Sequence, residues 1–264
     1  GSGGGGIDEG AAEAAVVPVR WWGIGGPHHA AGHDPSSRAP FERAELGNGI
    51  VVLGQVQHDD PAVSMRLRFE SGGALDPVEQ PGLAAFTART LTRGTSSMTF
   101  EAFNETTDRL GATVAIEPGR TFVEAQIRCL REDLPALLDL IADVMRDPRF
   151  PEDEVEKVRQ ELITAVKEQD NDTRASSDRA LRRLLYPATH PYHHRTLGEP
   201  ESLASISRDD LAEFHRRWYG PGVMTVAAVG GLGAFADVAR AVDRRFADWV
   251  SGAVRPPSPT PPSV

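Results

Sequence analysis

The sequence contains one cysteine among its 264 residues, Cys129, and no run of about 18 consecutive apolar residues. It therefore cannot form an internal disulfide, and it is expected to be soluble, with no membrane-spanning segment. Basic residues are in the minority, because 28 Lys and Arg stand against 38 Asp and Glu, for a net charge of −10. Proteins that bind nucleic acid carry a clustered basic face, so nucleic acid is not an expected partner.

Apolar residues make up 40% of the chain, which is enough for a full hydrophobic core. Their pattern is dense between residues 41 and 250. Residues 1–40 are rich in Gly, Ala, Pro and His and show no helix or strand period, which indicates a flexible linker or leader. Residues 251–264 are rich in Pro and indicate a second linker. Neither segment indicates a cellular compartment.

Two strands are predicted near the start of the core region. Residues 63–69 alternate apolar and polar side chains, which is the period of a strand with one buried face. Residues 50–56 predict an earlier strand, which the turn at Asn48-Gly49 introduces. The segment His58-Asp59-Asp60-Pro61 predicts a hairpin-like connection between the two strands.

The rest of the core region adds a hairpin, several helices and a last strand. Residues 112–116 and 122–129 are predicted to pair across Pro118-Gly119-Arg120, and a further strand is predicted at residues 223–229. Helical spacing and capping signals predict helices at residues 134–145, from 151, from 207 and from 235 to about 249. This order favours an α+β fold, with helices on one face of a mostly antiparallel sheet.

Short motifs for other chemistries are weak. Residues 230–233 (GGLG) lack the third glycine of a dinucleotide fingerprint, which favours a plain turn from strand to helix. His190, His193 and His194 could offer imidazoles to zinc, although adjacent side chains in a loop tend to diverge. No Gly-x-Ser-x-Gly elbow occurs, and Cys129 lies in a predicted strand, so nucleophilic catalysis is not indicated.

Six short segments follow one another in a distinctive order. They are residues 45–53 (ELGNGIVVL), 69–77 (FESGGALDP), 81–84 (PGLA), 93–95 (RGT), 190–192 (HPY) and 214–221 (FHRRWYGP). Together they make residues 41–250 resemble one domain of the M16 peptidase family, which includes insulinase, pitrilysin and mitochondrial processing peptidase. The resemblance implies the LuxS/M16 metallohydrolase-like form of the α+β fold.

The zinc motif of that family is altered at each of its four positions. Active members carry His-x-x-Glu-His directly after Gly-Leu-Ala, but the five residues here are AFTAR. The resemblance places Ala85 and Arg89 at the two His positions, Ala88 at the Glu position, and Ala165 at the distal Glu ligand. A methyl group has no lone pair and a guanidinium has no acceptor, so none can ligate zinc. The resemblance thus implies no catalytic residue, no metal and no cofactor in this chain.

The family also suggests what such a chain does. Its active unit is built from two related halves that close on a peptide substrate, either fused or as separate subunits, and one half commonly lacks the zinc motif. The resemblance implies that this chain is the first domain of such a half, and that a second domain follows residues 251–264. Zinc is then expected in the partner half, and the chain alone is not expected to cleave peptides.

Two other functions stay open at this point. The first is an assembly or scaffold protein that has the M16 fold and no role in proteolysis. The second is an independent enzyme that uses the imidazoles between His190 and His194.

The alignment also predicts a geometry. If Ala165 occupies a former ligand position, its Cβ should lie about 6 to 9 Å from those of Ala85 and Arg89. A separation well beyond about 12 Å from both would contradict the assignment. A desolvated Arg needs a partner, and Glu161 lies one helical turn before Ala165. Glu168 lies one turn after Ala165. We therefore expect Arg89 to pair with one of these two glutamates, Glu161 ahead of Glu168, and the alternative is that Arg89 reaches solvent.

Overall fold

The computed structural model describes residues 41–256, so the expected leader at residues 1–40 and the end of the second linker, residues 257–264, lie outside the described residues. The strands are β1 (Glu42–Glu45), β2 (Val51–Val56), β3 (Ala62–Phe69), β4 (Thr113–Pro118), β5 (Val123–Leu130) and β6 (Met224–Gly230). The helices are α1 (Leu83–Thr90), α2 (Phe100–Arg109), α3 (Leu134–Arg146), α4 (Glu152–Asp170), α5 (Thr173–Leu185), α6 (Pro200–Ser205), α7 (Arg208–Trp218) and α8 (Phe235–Phe246).

The described strands form one mixed sheet in the order β1-β2-β6-β3-β5-β4. β2 and β6 are parallel, and the other neighbouring pairs are antiparallel. The hairpin expected between β2 and β3 is wrong, because β6 lies between them. The connecting loop passes the end of β6, where the Gln57 N–H donates to Gly230 O (2.8 Å) and the Gly231 N–H donates to Ala62 O (2.9 Å). Turn residues specify that the chain reverses, but they do not specify which strand becomes the neighbour.

The turn at Asn48-Gly49 joins β2 to β1, a strand that sequence analysis misses. The Gly49 N–H donates to Leu46 O (2.9 Å), and the Asn48 side chain donates to Phe246 O (2.7 Å). The four residues of β1 are Glu-Arg-Ala-Glu, and they are mostly exposed, so no apolar alternation marks them. The second predicted hairpin is confirmed, because β4 pairs with β5.

One face of the sheet is buried. Side chains along β3 alternate strictly between exposed and buried, and those of β5 and β6 alternate in nearly the same way. The helices supply the other side of this core, with α8 against β2 and α1 against β4. The predicted α+β fold with helices packed on a largely antiparallel sheet is confirmed.

Several helices begin where the sequence signals predict. Helix α4 follows Pro151 and has an acidic first turn, and helix α7 has a capping box. In that box the Asp210 N–H donates to the Ser207 hydroxyl (3.2 Å), and the Ser207 N–H donates to the Asp210 carboxylate (2.7 Å). Helix α8 ends at Phe246, a few residues earlier than expected.

Helix α5 differs from the long core helices because none of its side chains is buried. It is preceded by Asp172, whose side chain accepts from the N–H groups of Arg174 (2.8 Å) and Ala175 (3.1 Å). Among the described helices, none is long and apolar enough to cross a membrane.

The chain stays in contact with the domain after α8. The Ser251 hydroxyl donates to Tyr219 O (2.7 Å), Ala253 is buried, and Arg255 pairs with Glu70 (3.0 Å). These contacts hold residues 251–255 near the end of β3, where Phe69 lies, and near Tyr219, which follows α7. The rings of Phe69 and Tyr219 lie 5.4 Å apart.

Candidate functional site

Helix α1 carries three of the four positions that align with the zinc motif, and an acidic side chain fixes its start. Gly82 precedes the helix with a φ of 99°. The Asp76 carboxylate accepts hydrogen bonds from the N–H groups of Gly82 and Ala84, each at 2.7 Å. Asp76 therefore satisfies two N–H groups that have no partner within the helix. Sequence analysis misses this cap, because its partners lie six and eight residues away.

The three motif positions of α1 have different surroundings. Ala85 and Ala88 are buried, at 0% and 1% exposure. Arg89 points outward and donates to Glu117 of β4 at 2.9 Å, and both side chains are about half exposed. The expected ion pair between Arg89 and Glu161 is therefore wrong. Arg89 lies on the side of α1 that faces β4, and Glu161 already has another partner.

That partner is Arg93, which joins the end of α1 to helix α4. Arg93 pairs with Glu161 (2.7 Å) and with Glu154 (3.3 Å), and its guanidinium lies 4.3 Å from the centroid of the Phe100 ring. Glu154 is largely buried and also pairs with Lys157. A network of ion pairs thus ties α1 to α4 one turn beyond the motif positions.

The fourth motif position, Ala165, is half-buried on α4 and lies next to buried Val166. None of the four motif side chains offers a lone pair to a metal. In the described part of the chain, no three His, Cys, Asp or Glu side chains come together in a group that could hold a metal ion. The assignment of these four positions to a former zinc site stays a prediction.

The histidines between positions 190 and 194 are engaged within their own loop. His193 Nδ1 lies 2.8 Å from Tyr186 O, and His194 Nε2 lies 3.1 Å from Ala188 O. The His190 ring stacks on the Tyr186 ring, with centroids 4.6 Å apart. Each imidazole therefore has its own partner, and the three form no metal-binding group.

Two enclosed titratable groups have shifted pKa values. Burial raises the pKa of Asp76 from 3.8 to about 7, although its two N–H donors and Arg120 act in the opposite direction. Other atoms of Asp76 are partly exposed, but its carboxyl group is enclosed at the start of α1. Burial lowers the pKa of His215 from 6.5 to about 4. His215 stacks on Tyr219, and its Nε2 lies 2.9 Å from Met145 O.

These shifts predict opposite contributions to the pH dependence of folding stability. Folded Asp76 holds its proton more tightly than the unfolded chain does, so its contribution is full below about pH 4 and is lost as pH rises through about 7. Folded His215 holds its proton less tightly, so its contribution is full above about pH 6.5 and is lost as pH falls towards 4. Between about pH 5 and 8, each contribution to the free energy of unfolding changes by about 2 to 3 kcal/mol, and the two change in opposite directions.

We expect the two contributions nearly to cancel in the native protein. Compared with it, Asp76→Asn should become more stable towards pH 8, and His215→Gln should become less stable. Urea unfolding of the three proteins at about pH 5, 6.5 and 8 measures these slopes. Variant profiles that run parallel to the native one would contradict the assignment.

The fold and these positions define a class of protein: an α+β domain whose helix α1 carries no His, Cys, Asp or Glu side chain. A family model described as "Insulinase (Peptidase family M16)" matches residues 51–195. The chain belongs to the M16 peptidase family, which confirms the resemblance.

The chain matches relatives that are named as proteases and relatives that are not. It is 25% identical over 189 residues to "Cytochrome b-c1 complex subunit 1, mitochondrial" of Bos taurus, covering 72% of this chain and 39% of that protein. It is 23% identical to "Non-peptidase homolog YmxG" of Helicobacter pylori, covering 62% and 38%. It is 26% identical to an uncharacterized zinc protease of Mycobacterium bovis, covering 75% and 45%. The chain thus spans about two-fifths of the length of these relatives.

Solved structures share the fold. An inactive M16 peptidase domain from Pseudomonas fluorescens superposes with a TM-score of 0.78 at 24% identity, covering 84% of this chain and 54% of that one. Pitrilysin superposes with a TM-score of 0.77 at 18% identity, covering 86% of this chain and 25% of that one. The chain therefore has the M16 fold, and the pattern His-x-x-Glu-His does not occur in the given sequence.

Proposed function

We propose that this chain is the first domain of a non-catalytic M16 half, which completes the peptide-binding chamber of a zinc-bearing half. That half is either fused to it or supplied as a separate subunit. The proposal rests on the residues that the resemblance places at the four zinc-motif positions of a domain with the M16 fold. They are Ala85, Ala88, Arg89 and Ala165, and none of them can ligate zinc. When zinc-motif side chains are absent from all four positions together, a change of role within a peptidase assembly explains the sequence better than damage to one site.

The similar proteins support the same proposal. One matching structure is described as an inactive M16 domain, and one relative is named a non-peptidase homolog. The chain contributes no metal ligand of its own at the motif positions, so the zinc of the assembly would lie in the partner half. The shared substrate would be a peptide held between the two halves.

The outer face of α5 supports an interface with the partner half. Leu181, Leu184 and Leu185 follow helical spacing, and they are 54%, 86% and 55% exposed. The polar side of the same helix faces the domain, where Arg179 pairs with Asp170 (2.6 Å). Apolar side chains directed outwards on an otherwise polar helix are typical of a surface that another protein covers.

Reconstitution tests the proposal. We expect the zinc-bearing M16 subunit from the same organism to bind this chain and to cleave peptides faster with it than alone, because the chamber needs two halves to position a substrate. Leu184→Glu should weaken the association by about tenfold or more, since it places a charge in an apolar contact.

The matched control is Val250→Glu, because Val250 is 94% exposed and lies outside α5. This variant should associate like the native chain. An absence of binding to the zinc-bearing subunit would overturn the proposal.

A second candidate function is that of an assembly subunit with no role in proteolysis. The similarity to a subunit of the cytochrome b-c1 complex favours it. In the reconstitution, binding to the zinc-bearing subunit without any change in its peptidase activity would support this second function.

A further inference from the structure

A cleft separates the polar side of α5 from the loop that carries His193 and Thr196. Its volume is about 200 Å³. Four arginines line it: Arg120, Arg179, Arg182 and Arg195. The acidic side chains in its wall are Asp170 and Asp178.

The cleft holds more positive than negative charge. Asp170 pairs with Arg179 (2.6 Å) and Arg195 (3.1 Å), and Asp178 pairs with Arg182 (2.6 Å). Four guanidiniums against two carboxylates leave an excess of two positive charges. Glu199 also pairs with Arg195 (2.8 Å) and, at longer distance, with Arg183 (3.4 Å), which lies outside the cleft lining. Its carboxylate offsets one of the two charges, so an excess of one positive charge remains.

Among the described residues Arg120 forms no direct ion pair with a carboxylate, although the charges of Asp76 and Asp178 act on it at longer range. Its guanidinium donates to Pro191 O (3.3 Å) and His194 O (3.0 Å), and it lies 5.3 Å from the centroid of the Tyr192 ring. Burial and the neighbouring charge of Arg182 both lower the pKa of Arg120. The protein thus holds two like charges close together in a cleft, although the chain as a whole has a net charge of −10.

The arginines are also held in place before any ligand arrives. The side chains of Arg195, Arg179 and Arg182 are only 12%, 28% and 29% exposed. Ion pairs fix these three, and backbone carbonyls fix Arg120. Fixed guanidinium donors lose little conformational freedom when they bind an oxyanion, so they suit planar, multidentate recognition.

We propose that this cleft binds a compact oxyanion of the phosphate type, either inorganic phosphate or a phosphoryl group on a small molecule. A phosphate carries about two negative charges near neutral pH, so it would offset the positive charge that remains in the cleft and accept hydrogen bonds from its guanidiniums. The volume admits an ion of this size but not a folded segment of another protein. Binding would neutralise the repulsion around Arg120 and fix α5 more firmly to the loop at residues 193–197.

Calorimetry with inorganic phosphate tests the site, in a buffer free of other oxyanions and with ionic strength kept constant by sodium chloride. We expect saturable binding of one phosphate per chain and a higher melting temperature. Arg182→Gln should weaken binding by about tenfold or more, because it removes a charge-assisted donor. Arg240→Gln is the matched control, since Arg240 is 63% exposed and pairs with Asp237 on α8.

A second variant changes affinity in the other direction. Asp178→Asn removes a competing carboxylate and should tighten phosphate binding several-fold, so the test does not depend on a variant that loses affinity.

O-Phosphoserine in a parallel titration distinguishes free phosphate from a phosphoryl group on a small molecule. Tighter binding than inorganic phosphate indicates a phosphoryl group on a small molecule, and weaker binding indicates free phosphate. Equal effects of Arg182→Gln and Arg240→Gln, or stabilisation by phosphate no greater than that by chloride, would overturn the proposal.

Discussion

The variant Ala85→His/Arg89→His/Ala165→Glu will bind one zinc ion per chain if these positions descend from a metal site. Two imidazoles at i and i+4 share one helix face, and a carboxylate from α4 would complete three protein ligands, as in catalytic zinc sites. Helices α1 and α4 already pack against each other. The expected affinity is at least about a hundredfold tighter than that of the native chain, as measured by competition with a zinc indicator.

A matched control moves the carboxylate by one residue. In Ala85→His/Arg89→His/Thr164→Glu, the new acid lies at an exposed position of α4, about 100° around the helix from position 165. This control should bind zinc only as weakly as the two histidines allow. Equal affinity in the two triple variants would show that Ala165 is not a former ligand position. Circular dichroism of each variant checks that the buried His at position 85 leaves the fold intact.

Replacing Gly198 with alanine will destabilise the protein by about 3 to 5 kcal/mol. Gly198 has a φ of 83°, and a Cβ there would lie 2.3 Å from Pro81 O and 2.8 Å from the Gly82 Cα. Both the left-handed backbone and the backbone contact oppose a side chain. The contact lies at the start of α1, so α1 and the loop before α6 would have to separate. The melting temperature should fall by about 10 °C or more.

Gly47→Ala is the control for this prediction. A Cβ at Gly47 would meet nothing within 4 Å, and its φ lies outside the left-handed range. Its melting temperature should therefore remain within a degree or two of the native value. A similar change in both variants would mean that the contact between Gly82 and Gly198 does not limit stability.

Local periodicity predicts much of the fold, because some elements have a single buried face. β3 and α4 show this directly, since their apolar residues recur at the strand and helix periods and are the residues that become buried. β1 has no such pattern, and the apolar residues of α5 face outwards, so both elements are missed. The position of β6 depends on pairing between segments far apart in the chain, which no local signal specifies.

The sequence also predicts some features of the candidate site and not others. Ala85, Ala88, Arg89 and Ala165 follow from the order of motifs along the chain. The partner of Arg89 does not, because α4 and β4 both present glutamates to α1 and only the packing decides between them. The sequence does not predict the arginine cleft either. Arg120 lies in a turn and Arg195 in a loop, and only the folded chain brings both beside α5.

β6, at the middle of the sheet, is the last of its six described strands to be synthesised. Until Met224–Gly230 emerges, β2 and β3 each lack the neighbour that satisfies one of their edges. At bacterial or eukaryotic translation rates, about 10 to 30 seconds pass between the synthesis of β2 and that of β6. Exposed strand edges readily pair with other chains, so chaperones that shield a nascent polypeptide should determine how much of this protein folds rather than aggregates.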